Sequence, residues 1–464
     1  MHLHHPIADG DSRLSFWLRV REFAVPPSMI ETATARRLAG DWAGACAAAG
    51  FDVDLDLRST VRAHGRELAA RVQADLHRLA PDLLRWHMPR IAPDGLLRPG
   101  LTVTLARYGA TPVHLVARTA PAWADAGQRI SLALWDGSRG GQGGGSSRHP
   151  QLHPHLKPNR RFRLDLHRHL WDADSSGELR TRSGADRPPR GDEPVPEAVP
   201  YGLRCAVDRW AAEAGILLRA EGRPAGTGSV AVRLGGRHRL VLDLAAAAAG
   251  RIAAAPAGGR DCALPLLPDA ATWLLPDLEL LRAGAIRADR LHPLVAAALV
   301  PEHMPPAGPS RVPDPAGGAR LVECRGTLHR IALVDGVLAP LDHGPDELRR
   351  EELLVALGGP PLPCLRAIDA AHRSPDCLSG VRERLDHGDA AGALAVVEGL
   401  LGPEAVLRTG ALKDALEEAA QRRITYGQFR AGPVAPDLDR HRMRPGRHRT
   451  RDRRAHARRL TTSR

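Results

Sequence analysis

The sequence predicts an α+β, multidomain chain in which helical hairpins alternate with small antiparallel sheets, disordered linkers separate the units, and a basic tail follows. Three observations carry this expectation. With 464 residues the chain is too long for one hydrophobic core. Its apolar spacing switches repeatedly between a period near 3.6 and a period of two. Stretches dominated by Gly, Pro and Ser interrupt both patterns. The expected units are 1–136 (helices plus a small sheet), linker 137–160, a short ordered segment 161–180, linker 181–200, a middle α+β domain 201–300, linker 301–318, a meander with short helices 319–430, and the tail 431–464.

Taken in order, Pro27 suits a first helical turn, and Ile30, Thr34 and Leu38 keep helical spacing up to Gly40. Asp41 is placed to cap a helix from Trp42, and Ser59 to cap a longer one carrying Val61, Leu68, Val72, Leu76 and Leu79 on one face. Pro81 opens a short fourth helix. Alternation over Leu101–Leu105, Val113–Val116 and Ile130–Trp135 predicts three strands. In the middle unit, a helix over Ala206–Leu218 precedes a hairpin, Val230–Leu234 and Arg237–Leu244, turned by Gly235-Gly236. The last unit opens with a three-stranded meander turned at Arg325-Gly326-Thr327 and Asp335-Gly336; Pro345, Pro363, Pro375, Asp389 and Pro403 then mark five short helices. One echo stands out, Gly40-Asp-Trp-Ala-Gly-Ala-Cys-Ala47 against Gly388-Asp-Ala-Ala-Gly-Ala-Leu-Ala395, read as shared helix-to-helix corner chemistry rather than a duplicated repeat.

Charge is unevenly placed. The formal net charge is +12, yet Arg440 to Arg464 holds eleven Arg against Asp452 alone, so the remainder is nearly neutral. Such a tail is expected to be solvated and to add nonspecific affinity for nucleic acid or other polyanions, without the aromatics that stack on bases. Lys157 and Lys413 are the only lysines and both follow Leu, which excludes a G-x-x-x-x-G-K-[ST] phosphate loop. No G-x-S-x-G, H-E-x-x-H or G-x-G-x-x-G is present, so no catalytic residue and no cofactor is expected. Six scattered cysteines without a C-x-x-C pair indicate neither a zinc ribbon nor a disulfide framework. With no secretory or membrane-spanning stretch, a cytoplasmic protein is expected.

Metal-capable side chains gather in two places. His2, His4, His5, Asp9 and Asp11 offer nitrogens and oxygens near the N-terminus, where a frayed or surface-docked segment is the plainer reading and closure over a metal the sharper one. Asp172, Asp174 and Ser176 match the first donor positions of a calcium loop, but position twelve is Ser183, so an Asx-turn leading into a linker is favoured. Asp52, Asp54 and Asp56 share one face of an extended segment. His149, His153, His155, His167 and His169 sit in or beside the first linker. Cys324 with His329 is weighed as a thiol and base, against a buried Cys and a strand His.

The run Cys324-Arg-Gly-Thr-Leu-His329-Arg330, Gly336-Val-Leu338, Asp342-His343, Glu351 to Gly359 and Cys364, about residues 321–365, resembles a module of unknown function in multidomain proteins of GC-rich bacteria. The resemblance brings no activity. The expected role is therefore a cytoplasmic interaction or accessory protein with an unknown protein partner. The rivals are a metal-assisted hydrolase working through His2 to Asp11 and a nucleic-acid accessory factor working through the tail.

Overall fold

The fold is α+β. The computed structural model describes residues 10–109, 113–124, 126–137, 157–187, 196–200, 202–224, 226–235, 238–244, 250–255, 264–302, 320–335, 337–375, 377–403, 405–407 and 409–431. The Arg440 to Arg464 tail and His2, His4, His5 and Asp9 lie outside them, as do the His149, His153 and His155 positions.

The N-terminal body begins with α1 (Gly10–Phe23), α2 (Pro27–Leu38) and α3 (Trp42–Ala48), then β1 (Phe51–Val53), α4 (Leu57–His64), α5 (Arg66–Arg78) and α6 (Pro81–His87). β2 (Thr102–Tyr108), β3 (Val113–Thr119) and β4 (Ile130–Trp135) complete a sheet of order β1-β4-β3-β2, antiparallel except where β1 runs parallel to β4. The expected long helix capped by Ser59 is two helices. Asp56 caps α4, accepting from the amides of Arg58 and Ser59, and Gly65 at φ 87° turns the chain before α5. The carboxylate oxygens of Asp56 satisfy the orphan amides and start the helix three residues earlier than a Ser59 cap would.

α7 (Leu179–Ser183) leads to the middle region, with α8 (Val207–Ala220), the antiparallel sheet β5 (Ser229–Leu234), β6 (His238–Asp243), β7 (Arg251–Ala254), and α9 (Asp269–Thr272). Trp210, Leu217, Val230, Val232 and Leu242 form its core. α10 (Pro276–Arg282) and α11 (Pro293–Leu299) turn back to the body: Leu291, Val295 and Leu299 belong to the same core as Leu76, Leu83, Leu105 and Trp171. A buried cluster ties them in. Arg21 of α1 donates to both oxygens of Asp277 of α10 (2.8 and 2.7 Å), and the Trp86 indole N–H donates to the same carboxylate at 3.1 Å.

The C-terminal module consists of β8 (Arg320–Cys324), β9 (Thr327–Val334), β10 (Val337–Pro340), α12 (Pro345–Ala356), α13 (Pro363–Arg373), α14 (Leu378–Asp386), α15 (Ala390–Leu401) and α16 (Ala411–Ala431). It docks on the body. Tyr426 and Arg430 of α16 reach Asp52 and Asp54, and Arg129 also holds Asp52, so Asp52 and Asp54 are taken up by two ion pairs and a tyrosine hydrogen bond while Asp56 caps α4. The two echoing corners are the same structure: Asp41 accepts from Gly44 N at 2.8 Å and Asp389 from Gly392 N at 2.9 Å, after glycines at φ 78° and 88°.

Candidate metal centre

The site is built by a tight hairpin. Arg325 and Gly326 both have positive φ (55° and 82°), the requirement of a two-residue turn that matches strand twist, and Cys324 is thereby paired with Thr327. Strand alternation then puts His329 on the face that carries Cys324. His343 follows β10 immediately before α12, and Cys364 occupies the first turn of α13, which packs Cys364 and Ile368 on Ile331 and Cys324.

One nitrogen or sulfur from each of Cys324, His329, His343 and Cys364 lies within 4.8 Å of the others. His329 Nδ1 and His343 Nε2 are 2.8 Å apart. Tetrahedral zinc with ordinary Zn–S and Zn–N bonds sets its ligand atoms about 3.3 to 3.8 Å apart, so small side-chain adjustments close the shell. Both cysteines are fully buried.

The outer nitrogens are held as metal-bound imidazoles require. His329 Nε2 is 2.6 Å from Thr327 Oγ1, which donates to Cys324 O at 3.1 Å, and His343 Nδ1 is 3.2 Å from Glu347 Oε2. Arg325 spans Glu347 and Glu351, and Arg330 grips Asp342, fixing the loop before His343. In the metal-free state, burial and the adjacent Cys324 sulfur push the Cys364 thiol up to about 11. A bound divalent cation reverses this balance, because thiolate becomes its preferred ligand.

Cysteine spacing alone did not point to this cluster. No C-x-x-C is needed when candidate ligands come from a hairpin, a loop and a helix start; the intervals are four, thirteen and twenty residues. Cys324 and His329 do meet, in a cluster of four side chains that could hold a metal ion. Asp172 accepts from Asp174 N at 3.0 Å and pairs with Arg168, Ser176 Oγ donates to Ala173 O at 2.8 Å, and Asp174 faces solvent near Arg78, so the three do not converge on a common point. Asp11 is the second residue of α1, and Asp9 and the histidines before it lie outside the described residues. His167 is 3.3 Å from Glu213. No family model, curated protein or solved structure matches the chain.

Proposed function

We propose that the chain is a cytoplasmic accessory protein whose C-terminal module is a zinc-stapled docking platform for a partner protein. The observation that carries this reading is where apolar side chains are left in water. Of fifteen large hydrophobics exposed among the described residues, nine fall between Leu321 and Leu357. Leu328 (66% exposed) lies on the outer sheet face, Leu353 on α12, and Leu357 at the C-terminal cap of that helix. Concentrated apolar exposure on a small rigid unit marks an interaction surface, and it fits a partner presenting aliphatic side chains of a helix or strand.

Four protein ligands leave zinc no open position for water or substrate, which supports a structural role over the hydrolase rival. Among the described residues, Cys46, Cys205, Cys324 and Cys364 form no disulfide, which fits a reducing compartment. The test has two readings. Untagged protein is expected to retain about one zinc by elemental analysis, and cross-linking in the native cell to yield a stoichiometric partner that Leu328→Glu with Leu353→Glu removes. Zinc-free protein, or a partner profile unchanged in the double variant, overturns the reading.

A further inference from the structure

Between the N-terminal core and the middle core lies a cavity of about 1220 Å³. Its lining departs sharply from the chain's composition. Five of the chain's thirteen Trp and Phe residues face it, Phe16, Trp17, Trp86, Phe162 and Trp273, together with ten arginines against three carboxylates.

Most of those arginines have acidic partners. Arg161 holds Asp269 bidentately (3.0 and 2.7 Å), and Arg182 holds Glu213. Arg209 and Arg90 have none among the described residues. Arg209 of α8 is 5% exposed, its side chain makes no hydrogen bond or ion pair among the described residues, and its Nε is sealed from solvent. Arg90, equally buried, donates only to the carbonyls of Gly95 (3.3 Å) and Arg85 (2.8 Å), and its Nε has no acceptor. His169, buried beside His167 and lining the same cavity, has an unpartnered Nδ1.

Burying a cation without a counter-charge costs several kcal/mol unless something else supplies the charge. Guanidinium is the side chain suited to bidentate phosphate contact. Arg98 and Arg161 also stand 5.5 Å from the Phe162 ring centroid, an arrangement of cations and ring faces on which a flat ring can stack. We propose that this cavity binds a phosphorylated small molecule carrying a flat unsaturated ring, the nucleotide class, with Arg209 and Arg90 neutralising the phosphates and the aromatic wall receiving the ring. This is a binding function separate from the metal-stapled platform.

The probes are ADP, inorganic pyrophosphate and adenosine, titrated into the full chain while the fluorescence of Trp17, Trp86 and Trp273 is followed. ADP is expected to bind at least tenfold more tightly than pyrophosphate, and adenosine more weakly than either. Arg209→Gln is expected to weaken ADP at least tenfold, whereas Arg66→Gln, on the exposed face of α5, leaves it unchanged. Hydrogen exchange of the wild-type protein gives a reading independent of any variant: ADP should protect 161–169 and 203–213 and leave 320–364 unaltered. Absence of ADP binding at millimolar concentration, binding unaffected by Arg209→Gln, or protection confined to other segments overturns the proposal. Equal affinity for ADP and pyrophosphate overturns the stacking half of it.

Discussion

The N-terminal body and the C-terminal module solve the same stability problem in opposite ways. In the body a single continuous core runs from Val20 to Leu179 and recruits Leu291 to Leu299, so each buried side chain holds a small share. The module divides into two small cores, one of Val381, Leu385, Ala393, Val397, Leu401 and Leu412, the other of Cys324, Ile331, Leu362, Cys364 and Ile368. Two of the five residues in that second core are candidate metal ligands. A sheet with so little apolar burial falls in the size range where a structural metal replaces missing core. Distributed stability tolerates single losses; concentrated stability does not.

The sharpest way to break the comparison is to remove the staple. Structural zinc contributes about 10–16 kcal/mol in small zinc-folded peptides, so Cys364→Ser or chelation should abolish hydrogen-exchange protection across β8 to β10 while the body keeps its own. Equal loss in both regions would show that the two are not independently held. In the body, Leu76→Ala removes a fully buried side chain and should cost about 2–5 kcal/mol, lowering the melting temperature without local unfolding.

A third probe lies at the junction. His387 is buried beside Phe23, and burial, with Arg90 and Arg85 next, depresses its pKa to about 4; Glu383 and Asp386 oppose the shift. An undocked His387 titrates near 6.5. The undocked state therefore takes up the proton first, so docking is fully stable above pH 6.5 and weakens as pH falls toward 4, by at most about 3 kcal/mol. Acid-induced release of α14 and α16, followed by exchange or small-angle scattering, should be lost in His387→Gln.

The smallest effect separates the two echoing corners. Gly40→Ala imposes left-handed backbone strain of about 1–2 kcal/mol in open space. Gly388→Ala adds a clash with the carbonyl of Gly127 in the body, so only this variant should also loosen docking. Matched thermal melts of the two variants measure the difference.

Local chemistry explains how much of this could be read from the residues. The Asp41 and Asp389 caps, the helix starts at Pro27, Pro81, Pro345 and Pro363 and the Arg325-Gly326 hairpin turn were legible because each effect acts within about four residues, whereas α14 starts three residues after Pro375 and α16 eight after Pro403. α1 escaped because its apolar residues, Phe16, Trp17 and Val20, are interleaved with Arg13, Arg19 and Arg21, which find partners only in segments remote in sequence. The aspartate face was legible as one side of an extended segment, but two of its partners, Tyr426 and Arg430, lie more than 370 residues away on α16. The candidate metal ligands stood in plain view: Cys324 and His329 flank the first turn of the meander, His343 follows its last strand, and Cys364 lies at the start of α13. What hid them was the reliance on close C-x-x-C spacing, when a hairpin register and a helix dock set the distances instead.

Arg85 carries a consequence for how the chain is made. Its guanidinium is fully buried without a carboxylate, and its three nitrogens donate to Ala24 O (3.0 Å), Gln128 O (2.6 Å) and His387 O (2.8 Å). Two acceptors emerge early in synthesis; the third arrives about 260 residues after Gln128. Until then the ribosome has released a body with one charged donor unanswered. A prematurely terminated chain never supplies it, and so keeps a local weak point where cellular proteases and chaperones can engage. In biosynthetic terms the arginine registers progress along the chain: its last acceptor exists only once synthesis has passed residue 387.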